Sequence, residues 1–158
     1  MKINNNILVN SLDSNIGLNK KIGIVKSIWN NEITGRLLEG CKSTLLDYGV
    51  QKNSIYNLSV PGSFELIYGG KKLYKIFKPD AIILIGSIIQ GETPHFQFIS
   101  QATANGVKDL NILFDIPFVF CVSTDLNEKQ AIDRSGGKIG NKGVDAALTA
   151  LHLLKEIN

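Results

Sequence analysis

The chain has 158 residues, 44% of them hydrophobic and 20% charged, with a formal net charge of +3, and that length is one domain's worth at roughly 100–200 residues per domain. The mean hydropathy of +0.07 argues against disorder, and no stretch approaches the roughly 18 uninterrupted apolar residues of a membrane span. The charge is too mild and too evenly spread to indicate nucleic acid, and a charged fraction under the usual value of about 25% leaves surface for self-association.

Residues 1–20 are polar and Asn/Ser-rich, with a short apolar patch at Ile7, Leu8 and Val9. They read as an arm, either disordered or a candidate edge strand for a sheet in its own or a neighbouring subunit. Asn4, Asn5, Asn6 and Asn10 interrupt any signal-peptide pattern. Cys41 and Cys121 have no CxxC partner and read as reduced, buried thiols of a cytoplasmic protein.

From Lys21 a unit repeats: a β-branched run, a turn, then a segment with helical spacing. Ile22 to Val25 reads as a strand, and about Glu32 to Tyr48 as a helix burying Leu37, Leu38, Cys41, Leu45 and Leu46, stopped by Gly49. Ser54 to Val60 is the second strand. Pro61-Gly62-Ser63 opens a helix that runs to Phe77 and ends at Lys78-Pro79, with Lys71, Lys72, Lys75 and Lys78 as a solvated face. Ala81 to about Ile88 is apolar on both faces, as a central parallel strand should be. A helix after Pro94 turns Phe96, Ile99, Ala102 and Val107 inward. Phe118 to Ser123 is the fourth strand, and helices over about Asn127–Ser135 and Asn141–Glu156 close the chain. The alternation predicts one α/β domain over residues 21–158 with a mainly parallel, four-stranded sheet and right-handed crossovers.

Open parallel sheets bind ligands beyond the carboxyl ends of their strands, so the strand-to-helix turns carry the candidates. Trp29 can stack on a planar ligand or pack in a core or interface; Phe120 is equally ambiguous, with core packing the commoner case. Gly91 permits close approach, Thr93 offers a hydroxyl, and Pro94 starts a helix whose free N–H groups suit a phosphate. His95 beside them can move protons at neutral pH; the competing reading is a capping turn with a solvated histidine. His152 lies within an apolar helix and reads as structural. The histidines, cysteines and acids show no metal-ligand spacing, so no metal is expected. No GxSxG, GxxxxGK[ST] or GxGxxG occurs. Arg134 to Gly143 is a Gly-rich, basic connection, either flexible and solvated or a second anion-binding wall through Arg134 and Lys142.

Pro61-Gly62-Ser63-Phe64-Glu65, Gly91-Glu92-Thr93-Pro94-His95-Phe96 and Gly136-Gly137-Lys138-Ile139-Gly140-Asn141-Lys142-Gly143 together resemble the lumazine synthases, in that family's order and spacing, over everything but the arm. The resemblance implies a three-layer α/β/α flavodoxin-like sandwich. It also implies a cofactor-free transferase that condenses 5-amino-6-(D-ribitylamino)uracil with 3,4-dihydroxy-2-butanone 4-phosphate in riboflavin biosynthesis. Trp29 would then stack on the pyrimidine, Ser63, Phe64 and Glu65 would hold the ribityl chain, and backbone groups of Ser87, Ile88 and Ile89 would read the pyrimidinedione edge. Glu92, Thr93 and Arg134 would bind the phosphate substrate, and His95 would be the proton donor. Phe120 would come from the adjacent subunit, and Lys142 would lie near the pyrimidine carbonyls. Phe120 and Arg134 would serve different halves of a shared pocket.

Ser63, Gln90 and Cys121 stand where the family more often has Ala, Arg and Gly; Gln90 removes a positive charge near the phosphate end. The resemblance further implies pentamers with sites between adjacent subunits. The short Gly136–Gly140 loop resembles that of members forming a 60-subunit shell, with riboflavin synthase a candidate partner. Two other readings compete: a non-catalytic flavodoxin-like module holding flavin or a phosphorylated ligand, and an inactive shell protein. A passive carrier has no need of His95 and Arg134.

Overall fold

From Lys21 onward, the four apolar runs expected to be strands join a single parallel sheet in a computed structural model that describes residues 6–157. The elements are α1 (Asn6–Ser11), β1 (Ile22–Ser27), α2 (Asn31–Asp47), a 3-10 turn (Lys52–Ser54), β2 (Ile55–Val60), α3 (Leu66–Phe77), β3 (Ala81–Ile89) and α4 (His95–Leu113), then β4 (Phe118–Asp125), α5 (Glu128–Arg134), β5 (Ser135–Gly137), β6 (Gly140–Asn141) and α6 (Lys142–Glu156). The main sheet runs in the order β2-β1-β3-β4, every adjacent pair parallel, so β4 is an edge.

The buried run of β3 explains its central place. Ala81 to Ile85 are all fully buried, because helices cover both faces, and each Ile or Leu side chain sequestered this way contributes about 1.5–3 kcal/mol. On one face Leu37 and Leu45 of α2 and Leu151 of α6 pack against Ile24, Ile83 and Ile85. On the other, Leu66 and Leu73 of α3 and Val107 and Leu110 of α4 pack against Val25, Ile82 and Leu84. The result is a three-layer α/β/α sandwich of the flavodoxin-like kind. Where α2 and α6 meet, a side chain at Gly143 would run into the Leu37 carbonyl, so glycine there is a packing requirement. Lys71, Lys72, Lys75 and Lys78 are all exposed, the solvated face their spacing predicts.

Two expectations need correction. The arm does not add an edge strand within its described part: residues 6–20 are helix α1 and a run of turns, and residues 1–5 lie outside the described residues. This segment is held by the body of the fold. Leu12 and Ile16 pack on the α2–α6 core, the Gly17 N–H donates to the Tyr48 carbonyl at 2.8 Å, and Lys155 Nζ donates to the Ser11 carbonyl at 2.8 Å. His152 Nδ1, 3.5 Å from Ser11 Oγ, has the structural place its helix suggested.

The second correction concerns the Gly-rich connection, which is a short antiparallel hairpin pairing Ser135 with Asn141 and Gly137 with Gly140. Gly136 and Gly140 take φ of 120° and 101°, a region favouring glycine. Asn141 then ties the hairpin down. Its Nδ2 donates to Arg36 O at 2.9 Å and Ser135 O at 3.3 Å, and its Oδ1 accepts from Gly143 N at 2.8 Å, capping α6.

Candidate active site

The carboxyl ends of β1, β2 and β3 open into a cleft of about 450 Å³. Its first wall is the turn after β1, which is bonded to the turn after β2: Ile28 N donates to Val60 O at 2.8 Å and Trp29 N to Pro61 O at 2.9 Å. The Trp29 ring lines the cleft and is 74% exposed, which removes the core-packing reading. Asn30, in the left-handed region with φ 55°, swings the chain into α2 and donates from Nδ2 to the Ser87 carbonyl at 3.0 Å.

In the second turn, one carboxylate oxygen of Glu65 accepts the Gly62 N–H at 3.0 Å. That bond fixes the side chain and leaves the other oxygen for a ligand. The same turn explains why α3 begins at Leu66 rather than at Ser63. Phe64 is exposed at the cleft. Ser63 also lines it but is nearly buried, with its hydroxyl over Gly86, where a side chain would collide with it.

The third wall is main chain. The β1–β3 ladder ends at Lys26–Ile85, so β3 runs on as a free edge toward the cleft. Asn30 already occupies the Ser87 carbonyl, while Ile88 and Ile89 also line the wall. Ser87 Oγ is buried there, with no hydrogen-bond partner among the described residues. His95, exposed as the first residue of α4, closes the rim. Helix geometry leaves the first N–H groups of α4 without internal acceptors. Glu92 and Thr93 stand exposed on the preceding turn, outside the cleft lining, and the space beside Gly91 is open.

A second cleft of about 550 Å³ runs along the edge strand β4 against α5 and α6. It collects the remaining candidates: Phe120, 41% exposed, Arg134 and Lys142. Arg134 Nε lies 3.3 Å from Asp125 Oδ1, and Lys142 Nζ is 2.8 Å from Asp145 Oδ2. No residue lines both clefts. One protomer therefore does not bring Arg134, Phe120 or Lys142 to Trp29 and His95. Phe120 and Arg134, expected in different halves of a pocket, lie in the same one, because β4 and the end of α5 flank a single groove.

Both thiols are free and buried. Burial, reinforced by Asp145, pushes the Cys121 thiol up to about 12, and burial raises Cys41 as well. Neither supplies a thiolate nucleophile near neutrality. Sequence reasoning passed over Asn30 and Asp125. The signal for Asn30 was an asparagine, tolerant of positive φ, at a strand-to-helix turn; nothing local marked Asp125, whose partner Arg134 is on another element.

A family model described as 6,7-dimethyl-8-ribityllumazine synthase matches residues 19–158. The 6,7-dimethyl-8-ribityllumazine synthase of Flavobacterium psychrophilum is 50% identical over 135 residues, covering 85% of this chain and 71% of that one. The protein of the same name from Christiangramia forsetii is 51% identical over 134 residues, covering 84% and 80%. That of Phocaeicola vulgatus is 46% identical over 136 residues, covering 86% and 81%.

Proposed function

The chain belongs to the 6,7-dimethyl-8-ribityllumazine synthase family, and from that premise we propose that it is a transferase joining 5-amino-6-(D-ribitylamino)uracil to 3,4-dihydroxy-2-butanone 4-phosphate. The substrate amine attacks the ketone and loses water to form an imine, phosphate leaves, and the ribitylamino nitrogen closes the ring with loss of a second water. These steps need proton transfers and positioning, with no bound cofactor. The observation that carries the reading is the convergence of the exposed Trp29 and Phe64 rings, the anchored Glu65 carboxylate and His95 on one cleft.

In that cleft Trp29 stacks on the pyrimidine, while main-chain groups of Ser87, Ile88 and Ile89 read its polar edge. Ser63, Phe64 and Glu65 hold the ribityl chain. Glu92 and Thr93 meet the phosphate at the start of α4, and His95 shuttles protons. The β4 groove of an adjacent protomer supplies Phe120, the phosphate clamp Arg134, and Lys142 toward the pyrimidine carbonyls. Gln90 leaves the phosphate end one charge weaker than in members with arginine there, which raises the Michaelis constant for that substrate.

Mixing the purified protein with both substrates and following the lumazine chromophore tests the activity; no product above the uncatalysed rate refutes it. His95→Ala is expected to lose rate by at most about 10²-fold, since positioning survives its removal. The assembly follows from the same reading: pentamers, twelve of which form a 60-subunit shell in the cytoplasm, with riboflavin synthase as partner. Sedimentation near 1 MDa supports the shell, and a species of about 0.1 MDa rejects it.

A further inference from the structure

β4 ends on a carboxylate that is 1% exposed. A buried aspartate is uncommon and needs polar company, and the Asp125 carboxylate has it on two sides, from Ser123 and Arg134. Its main chain is fixed by ladder pairing with Ile89 and by its carbonyl, which accepts the Gln90 N–H at 2.9 Å. Its Oδ2 accepts a hydrogen bond from Ser123 Oγ, two residues back on the same face of the strand. Its Oδ1 has no hydrogen-bond partner among the described residues and faces Arg134 Nε at 3.3 Å.

The neighbouring charges are engaged elsewhere: Lys129 with Asp133 and Lys142 with Asp145, each at 2.8 Å. Asp125 is thus the carboxylate set against Nε of Arg134, whose side chain is 44% exposed at the β4 groove. Stability does not explain the arrangement. Burying a carboxylate is costly, and a half-exposed arginine returns little of that cost because water screens it. Orientation does explain it. A guanidinium held at Nε keeps both terminal nitrogens for a bidentate contact with an anion.

We infer that Asp125 is a positioning residue: its buried carboxylate, 3.3 Å from Nε of Arg134 and itself held by Ser123, pairs with the guanidinium on its Nε side and so leaves the two terminal nitrogens for the groove, where they meet the phosphate of the four-carbon substrate. The inference rests on the proposed function for the identity of that anion. A rigid strand end thereby replaces the rotamer freedom that a long surface side chain would otherwise lose on binding.

The test is Asp125→Asn in the full-length, assembled protein, a near-isosteric change that removes the charge and turns one of the two acceptor oxygens into a donor. KM for the phosphate substrate is expected to rise about tenfold, with kcat and KM for the pyrimidine within about twofold. Adding Asp125→Asn to Arg134→Ala is expected to change nothing further, a result that a merely structural residue would not give. Ser123→Ala, which disturbs the grip without touching the carboxylate, is expected to raise the same KM about threefold, and it decides the matter if Asp125→Asn does not assemble. Equal changes in both Michaelis constants, or an effect that persists without Arg134, overturns the inference. Calorimetry with inorganic phosphate separates it from the activity. Phosphate affinity that depends on Asp125 in a protein without turnover refutes the activity alone, and turnover with Asp125-independent phosphate affinity refutes the positioning role alone.

Discussion

If the Trp29–His95 cleft of one protomer is completed by the Phe120–Arg134 groove of the next, two damaged chains reassembled together must recover activity that neither has. The perturbations are His95→Ala, which damages the first cleft, and Arg134→Ala, which damages the second; no residue is shared between the two linings. In a ring reassembled from equal amounts of both chains, each site draws one half from each of two protomers. About one quarter of the sites then combine two intact halves, about half carry one lesion, and about one quarter carry both. With the phosphate substrate held below its Michaelis constant, either variant alone runs at roughly 1–10% of the wild-type rate. The mixture is therefore expected at about 25–30% of wild type. The assay is lumazine absorbance after dissociation in denaturant and dilution, against the same two variants mixed without dissociation. Chains that complete their own sites can give only the mean of the two variants. A reassembled mixture no faster than the unmixed control refutes the shared site.

Asn141→Ala removes three hydrogen bonds that join α2, the hairpin and α6; a loss of about 2 kcal/mol is expected in urea denaturation, and an unshifted midpoint would be inconsistent with that role. The raised thiols make stability fall in alkali. The folded chain keeps protons on Cys41 and Cys121 that the unfolded chain releases from about 9.0, so their contribution is full below that pH and is lost as pH rises toward about 12. Replacing both with Ala should flatten the decline between pH 9 and 11, and an equal slope in the variant would exclude the thiols as its cause. Native protein should also resist alkylation by iodoacetamide at pH 8 until it is unfolded, as read by mass spectrometry.

The sheet was legible because its signal is composition: a nine-residue, isoleucine-rich run such as Ala81 to Ile89, set between Pro79-Asp80 and Gly91, favours a strand covered on both faces over a buried helix. Helix ends followed from Pro94, Asn127 and Asn141, whose side chains or ring geometry act within a few residues of themselves. The hairpin was not legible, since Ser135 to Asn141 carries no apolar alternation. Its pairing depends on positive φ at two glycines and on an Asn141 contact to Arg36, which is 105 residues away. The arm misled for a related reason. Ile7 to Val9 fits a short strand or one helical turn equally well, and contacts of Leu12, Ile16 and Gly17 with distant residues settle the rest of the segment. In the site, Trp29 and His95 were readable as unusual residues in the right turns. Asn30 and Asp125 act through Ser87 and Arg134, and such partnerships have no local sequence pattern.

The separation of the two clefts constrains the assembly more than composition could. A two-fold contact is reciprocal, residue i meeting j and j meeting i, so it joins unlike clefts only when one partner covers both clefts of a protomer. The halves here are unlike: one offers aromatic rings, a free β3 edge and His95, and the other offers a guanidinium, an ammonium and the exposed Phe120 ring. A complete site on the proposed reading needs unlike faces to meet. When each cleft of a protomer meets a different neighbour the contact is heterologous, and its repetition either closes into a ring or continues as a filament. Closure has a chemical consequence. An open string of protomers leaves one cleft of each kind unfilled at its ends, with the 74% exposed Trp29 ring among the groups left in water. A ring leaves none, so the same contacts that bury the exposed aromatic residues also make every site competent.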